Sequence, residues 1–196
     1  MPLAWALSQA GYNVSTMGTL KTGPSYVPQQ WIHHEGHPGW RFDQIDLILN
    51  KSMDTSPTPP DLVTIHLGTH FQPVWFRACS HTPLHTRLAG TNDCGQKLAV
   101  PTIEANANKL LEHVFAKAPQ ATVYMASMIA FPHVPVCSQQ FNSLVPGIVA
   151  KHKANGMKVY YTPMEEWSGV CSGNATDDLS GLCCSGEVHP TAAGYL

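Results

Sequence analysis

The apolar run Leu62-Val63-Thr64-Ile65-His66-Leu67 follows the turn signal Pro59-Pro60-Asp61. It is too short for a buried helix and carries the β-branched residues of a central strand. A strand in which five of six residues suit burial belongs in a parallel sheet covered on both sides, which needs helical crossovers before and after it. The rest of the chain supplies them. Residues 2–10 read as a short helix closed by Gly11, and Tyr12 to Met17 as a short strand. Residues 41–51 carry Phe42, Ile45, Ile48 and Leu49 on one helical stripe, and residues 102–117 carry Ile103, Ala107, Leu110, Leu111 and Val114 on another. Thr122 to Met128 and Lys158 to Thr162 read as strands, joined by a long helix from Gln139 to Asn155 that ends at Gly156. Alternation of this kind predicts an α/β fold, a three-layer α/β/α sandwich around a parallel sheet. In such sheets ligands bind just beyond the carboxyl ends of the strands.

Composition narrows the function. The 196 residues are 43% apolar and 12% charged, enough for one domain with a sizeable core, so residues 1–196 read as a single unit. A net charge of -2 with no run of like charge argues against nucleic acid or an anionic membrane as partner. No apolar stretch approaches the roughly 18–20 residues that span a bilayer. Met1-Pro2-Leu3-Ala4-Trp5 lacks the basic start of a signal peptide. Six cysteines and the sequons at Asn13 and Asn174 point instead to an oxidising compartment, so the intact protein is expected to be extracellular. Six cysteines allow 15 pairings, and the sequence does not choose among them.

Three short motifs carry candidate chemistry. Gly90-Thr91-Asn92-Asp93 places an amide and a carboxylate where a strand should hand over to a helix. His33-His34-Glu35-Gly36-His37-Pro38-Gly39-Trp40 is a polar, glycine-rich loop. A zinc-binding helical pair would set histidines at i and i+4, whereas His34 and His37 are three apart and flanked by Gly36 and Pro38. We therefore expect no metal and no cofactor. The other reading is a tight loop whose Gly39 lets a backbone N–H approach a substrate closely. Val188-His189-Pro190-Thr191 sets an imidazole just before a proline-initiated helix start, at the edge where strand ends face solvent.

Read together, these motifs resemble the conserved blocks of the SGNH, or GDSL-type, ester hydrolases. Glu35-Gly36-His37-Pro38-Gly39-Trp40 is similar to the second block of the carbohydrate-esterase (acetyl xylan esterase-like) branch. Ile65-His66-Leu67-Gly68, joined to Thr91-Asn92-Asp93, is similar to the third block, and Val188-His189-Pro190 to the fifth. The resemblance implies a flavodoxin-like sheet and an acylated, chiefly acetylated, carbohydrate or other small ester as substrate. It makes His189 the general base, with the Asn92 side chain and the Gly39 backbone N–H as oxyanion donors. In the family an aspartate stands three residues before that histidine. Gly186 occupies the position here, so Glu187, two before, is the candidate acid partner and Asp178 the alternative.

Two departures qualify the activity. The family carries its nucleophilic serine in a Gly-Asp-Ser motif ending the first strand, which would precede Met1, and neither Ser8 nor Ser15 has that context. The chain is thus expected to lack its first strand and to have little activity as written. An esterase-like carbohydrate-binding module without catalysis is the alternative. The second departure is residues 69–90, which follow neither helical nor alternating period and separate the repeated Gly-Thr pairs at 68–69 and 90–91. They read as an irregular insertion: a retained intron or, if a genuine part of the protein, a lid carrying Trp75 and Phe76 over the site.

Overall fold

The computed structural model describes residues 2–21, 25–37, 39–66, 91–128 and 135–164. Helix α1 (Pro2–Gln9) is followed by a ribbon of two very short antiparallel strands, β1 (Leu20–Lys21) and β2 (His33–His34), with Leu20 opposite His34 and Lys21 opposite His33. A turn of 3₁₀-helix, Gln29–Trp31, leads into β2. Then come α2 (Phe42–Met53), β3 (Leu62–Ile65), the short α3 (Thr91–Gly95), α4 (Val100–Lys117), β4 (Thr122–Ala126), α5 (Pro135–Ala154) and β5 (Val159–Thr162). Strands β3, β4 and β5 form a parallel sheet in that order, with Ile65 beside Met125 and Met125 beside Tyr161. The expected α/β architecture with a parallel sheet is present.

Side chains alternate across the pleat. Ile65, Val123, Met125 and Val159 face a core that they share with Phe42, Ile45 and Leu49 of α2, Ile103, Leu110, Leu111 and Val114 of α4, and Phe141, Val145 and Ile148 of α5. The opposite face carries Leu62, Tyr124 and Tyr160 exposed, so the described residues cover the sheet on one side. Tyr124 and Tyr160 stack on each other there at 5.4 Å, with the Lys153 ammonium 5.3 Å from the Tyr160 ring. Among the described residues no helix is long and apolar enough to cross a membrane.

A buried carboxylate closes the seam between α2 and α4. Asp46 accepts from Lys109 Nζ at 2.8 Å and lies 2.9 Å from His113 Nδ1, whose other nitrogen is 3.2 Å from Asn50 Oδ1. Burial alone would raise the Asp46 pKa, yet Lys109 and His113 outweigh it and hold the group below the usual carboxylate range.

The expected strand at Tyr12 to Met17 does not form. A strand needs ladder partners, and among the described residues this stretch makes isolated bonds: the Thr16 N–H donates to Gln30 O at 2.6 Å, and Thr16 Oγ1 accepts from the His33 N–H at 3.0 Å. The strip ends at Gly18, whose N–H donates to Thr55 Oγ1 at 3.2 Å. Gly18 has φ of +148°, and a Cβ there would lie 2.3 Å from the backbone carbon and oxygen of His34. Gly18→Ala is therefore expected to cost about 1–3 kcal/mol, because backbone must move to admit the methyl group. Urea unfolding reads it directly, and an unchanged midpoint would mean that the ribbon yields freely.

Candidate active site

The site is assembled from the loop after β2, the start of α2, and α3. Glu35 fixes the loop. Its carboxylate accepts from the Thr19 N–H in a very short hydrogen bond and from Thr19 Oγ1 at 3.0 Å, and it receives the His37 Nε2–H at 2.7 Å. Burial works to raise the Glu35 pKa, but the donors of Thr19, His37 and Ser52 prevail and keep it lowered, so the group is ionised at neutral pH. The His37 ring in turn stacks on the Trp40 indole, with centroids 4.0 Å apart and planes 18° from parallel. The neighbouring His34 accepts the Gly36 N–H through Nδ1 at 3.0 Å. Both loop histidines are thus tied into protein contacts, and the described residues hold no cluster of three potential metal ligands.

Gly39 sits in this turn with φ of +81°, a conformation that glycine adopts without steric cost. A Cβ on it would meet nothing within 4 Å, and its N–H meets no acceptor among the described residues. The Gly39 and Trp40 carbonyls are held by α3 and the residue just after it. Gln96 Nε2 donates to Gly39 O at 2.9 Å, and Asn92 Nδ2 donates to Trp40 O at 2.7 Å. Asn92 is 2% exposed. A carbonyl oxygen can only accept, so the bond to Trp40 fixes which end of the amide faces the loop, and among the described residues that is the one acceptor the amide's two N–H groups meet.

Asp93 binds the same two pieces from the other side. Its Oδ2 accepts the Phe42 N–H in the first turn of α2 at 3.4 Å, while its Oδ1 and the Asn92 Oδ1 are buried without a partner among the described residues. Asp93 is 1% exposed, and its pKa is raised to about 7. Burial is the main cause and the Asp43 charge adds to it, against the Phe42 N–H and Arg41. Arg41 completes the joint: it grips Asp43 through two bonds of 2.9 and 2.8 Å and also donates to Gln96 Oε1. Just past β3, His66 is half-buried with its pKa lowered by desolvation, so its imidazole is neutral at neutral pH.

Gly39 and Asn92, chosen from separate motifs, are therefore brought together through Trp40. His189 and Glu187 lie outside the described residues, as do the insertion 69–90 and Asp178. Three contributors escaped the sequence. Gln96 stands one helical turn after Asn92 and shares its face, a spacing that could have revealed it. Glu35 looked like a metal ligand or turn residue, and its anchoring by Thr19 is a long-range contact. The disulfide between Cys94 and Cys137 was one of many possible pairings.

No protein-family model matches the sequence, and no curated protein matches it. Solved structures do. The family 3 carbohydrate esterase of Clostridium thermocellum superposes with a TM-score of 0.60 at 26% identity, over 84% of this chain and 66% of that one. A family 3 carbohydrate esterase from Talaromyces cellulolyticus gives 0.66 at 21% identity, over 98% of this chain and 82% of its own. An acetyl esterase mutant solved with an acetate ion gives 0.62 at 20% identity, with the same coverage of both chains. The chain thus spans just under two thirds of the clostridial enzyme's length. The chain, with its parallel β3-β4-β5 sheet, shares the α/β fold of these carbohydrate and acetyl esterase structures.

Proposed function

We propose that the full protein is an SGNH-type ester hydrolase that removes acyl, chiefly acetyl, groups from carbohydrate by serine-histidine acyl transfer. The observation that carries this reading is the bond from Asn92 to Trp40 O, which sets a buried amide beside the turn containing Gly39. Two donors from different elements, fixed before substrate arrives, are what a tetrahedral oxyanion requires. The likeness to carbohydrate and acetyl esterase structures supports the substrate class.

In this reading the nucleophilic serine belongs to a Gly-Asp-Ser strand N-terminal to residue 1, and the serine oxygen attacks the ester carbonyl. His189 takes the serine proton and returns it to the departing sugar hydroxyl, and Glu187 orients the imidazole. The remaining Asn92 N–H and the Gly39 N–H receive the developing oxyanion. Water, activated by His189, then frees the acetate. The protein works outside the cell on a neutral polymer, in keeping with its weak net charge and its disulfide.

Treatment of the full protein with a fluorophosphonate, followed by peptide mass spectrometry, tests the mechanism. One phosphonylated serine in a Gly-Asp-Ser peptide is expected. Retention of acetylated xylan with no adduct on any serine would instead identify a binding module.

A further inference from the structure

Asn92 rides on α3, a helix of only five residues. A helix that short does not hold itself, since nucleation costs more than one turn returns. Its exit is tight as well: the Leu98 N–H reaches back to Asp93 O at 3.0 Å, and Lys97 takes φ of +61°. Among the described residues the side-chain hydrogen bonds of Asn92 and Asp93, and of Gln96 just after α3, run to the Gly39–Phe42 side, and the Asp93 bond is long at 3.4 Å. Something must press from the other side.

Cys94 supplies that pressure. At about 100° per residue, two positions beyond Asn92 place Cys94 on the opposite face of α3. There it is 4% exposed and bonded to Cys137 in the first turn of α5. Helix α5 is a firm anchor: it runs 20 residues and buries Phe141, Val145 and Ile148 in the core. We propose that the Cys94–Cys137 disulfide is a positioning element of the site, holding α3 against the Trp40 carbonyl so that the Asn92 amide stays in donor geometry. The effect on turnover rests on the esterase reading above, whereas the effect on local order does not.

Opening the bond needs a dithiol. Its thiolate attacks the half-buried Cys137 sulfur, the S–S bond breaks, and Cys94 leaves as a thiolate that takes up a proton. The second thiol then expels Cys137 and the reagent closes into its own disulfide, so two electrons pass to the protein and two thiols result. Expulsion of a buried thiolate is unfavourable, so reduction of the folded protein will be slow.

The test is amide hydrogen exchange on the full protein in three forms: oxidised, C94A/C137A, and Val145→Ala as a destabilised control that leaves the bond intact. The proposal expects residues 92–98 to exchange at least tenfold faster in C94A/C137A, with Ile103, Leu110 and Leu111 of α4 unchanged. It also expects kcat for 4-nitrophenyl acetate to fall at least tenfold with KM within twofold, and Val145→Ala to show neither change. If C94A/C137A does not fold, the oxidised protein held in dithiothreitol under native conditions gives the same readout, with recovery on reoxidation. Unchanged exchange at 92–98, or a rise matched throughout α4 and α5, overturns the proposal. A folded, oxidised protein that hydrolyses no ester removes the esterase reading and leaves the exchange result to decide the tether.

Discussion

Asn92→Ala is expected to lower kcat for acetyl-ester hydrolysis by about a hundred- to a thousandfold, the usual cost of one oxyanion donor. The amide has two N–H groups and two tasks. One holds Trp40 O at 2.7 Å beside the Gly39 turn, and in the proposed mechanism the other receives the oxyanion. Alanine removes both, and the second interaction is strongest where charge develops, so KM should move little. Asn92→Asp sharpens the test. It keeps the shape but turns a carboxylate toward a carbonyl and an oxyanion, so it should be at least as damaging. Initial rates on a soluble acetyl ester measure both, and an Asn92→Ala enzyme within threefold of the parent would take Asn92 out of the reaction.

The second large effect concerns pH and Asp93. Its carboxyl titrates at about 7 in the folded protein against an ordinary 3.8. A raised pKa means that the folded state holds the proton more tightly than the unfolded chain does. The corresponding stability is fully present below pH ~4 and is lost as pH rises through about 7. The full swing is on the order of 4 kcal/mol. Asp93→Asn cannot ionise and still offers the Phe42 N–H an oxygen. It should match the parent near pH 4.5 and exceed its unfolding free energy by a few kcal/mol at pH 8. Parallel denaturant curves for parent and variant across that range would show no divergence if Asp93 were solvated. Glu35, Asp43 and Asp46 act in the opposite sense. Their lowered pKa values add stability above the ordinary carboxylate range that is lost as the solution becomes more acidic.

These residues also show what the sequence could and could not reveal. Strands β3, β4 and β5 and helices α2 and α4 were legible because each carries its own signal, a short β-branched run or an apolar stripe bounded by turn residues. Helix α5 begins four residues before the expected Gln139 and runs through Pro146, because the core contacts of Phe141 and Val145 offset the missing backbone bond. The β1-β2 ribbon was hidden: two residues to a strand are too few to show an apolar alternation, and the geometry that allows it is the contact of Gly18 with His34. Gly39 and Asn92 were found as motifs, but the Trp40 carbonyl that joins them is backbone and leaves no trace in composition. Asp93 stood out only as part of the Gly90-Asp93 motif, while its raised pKa arises from burial, which only the fold creates. The pairing of Cys94 with Cys137 spans 43 residues and could not be chosen by spacing.

Release of acetate from acetylated xylan by the full protein, followed by enzymatic assay of free acetate, tests the central claim most directly. The account predicts steady turnover that falls at least a hundredfold in Asn92→Ala at unchanged fold. A folded, oxidised protein that binds the polymer and releases no acetate would contradict it.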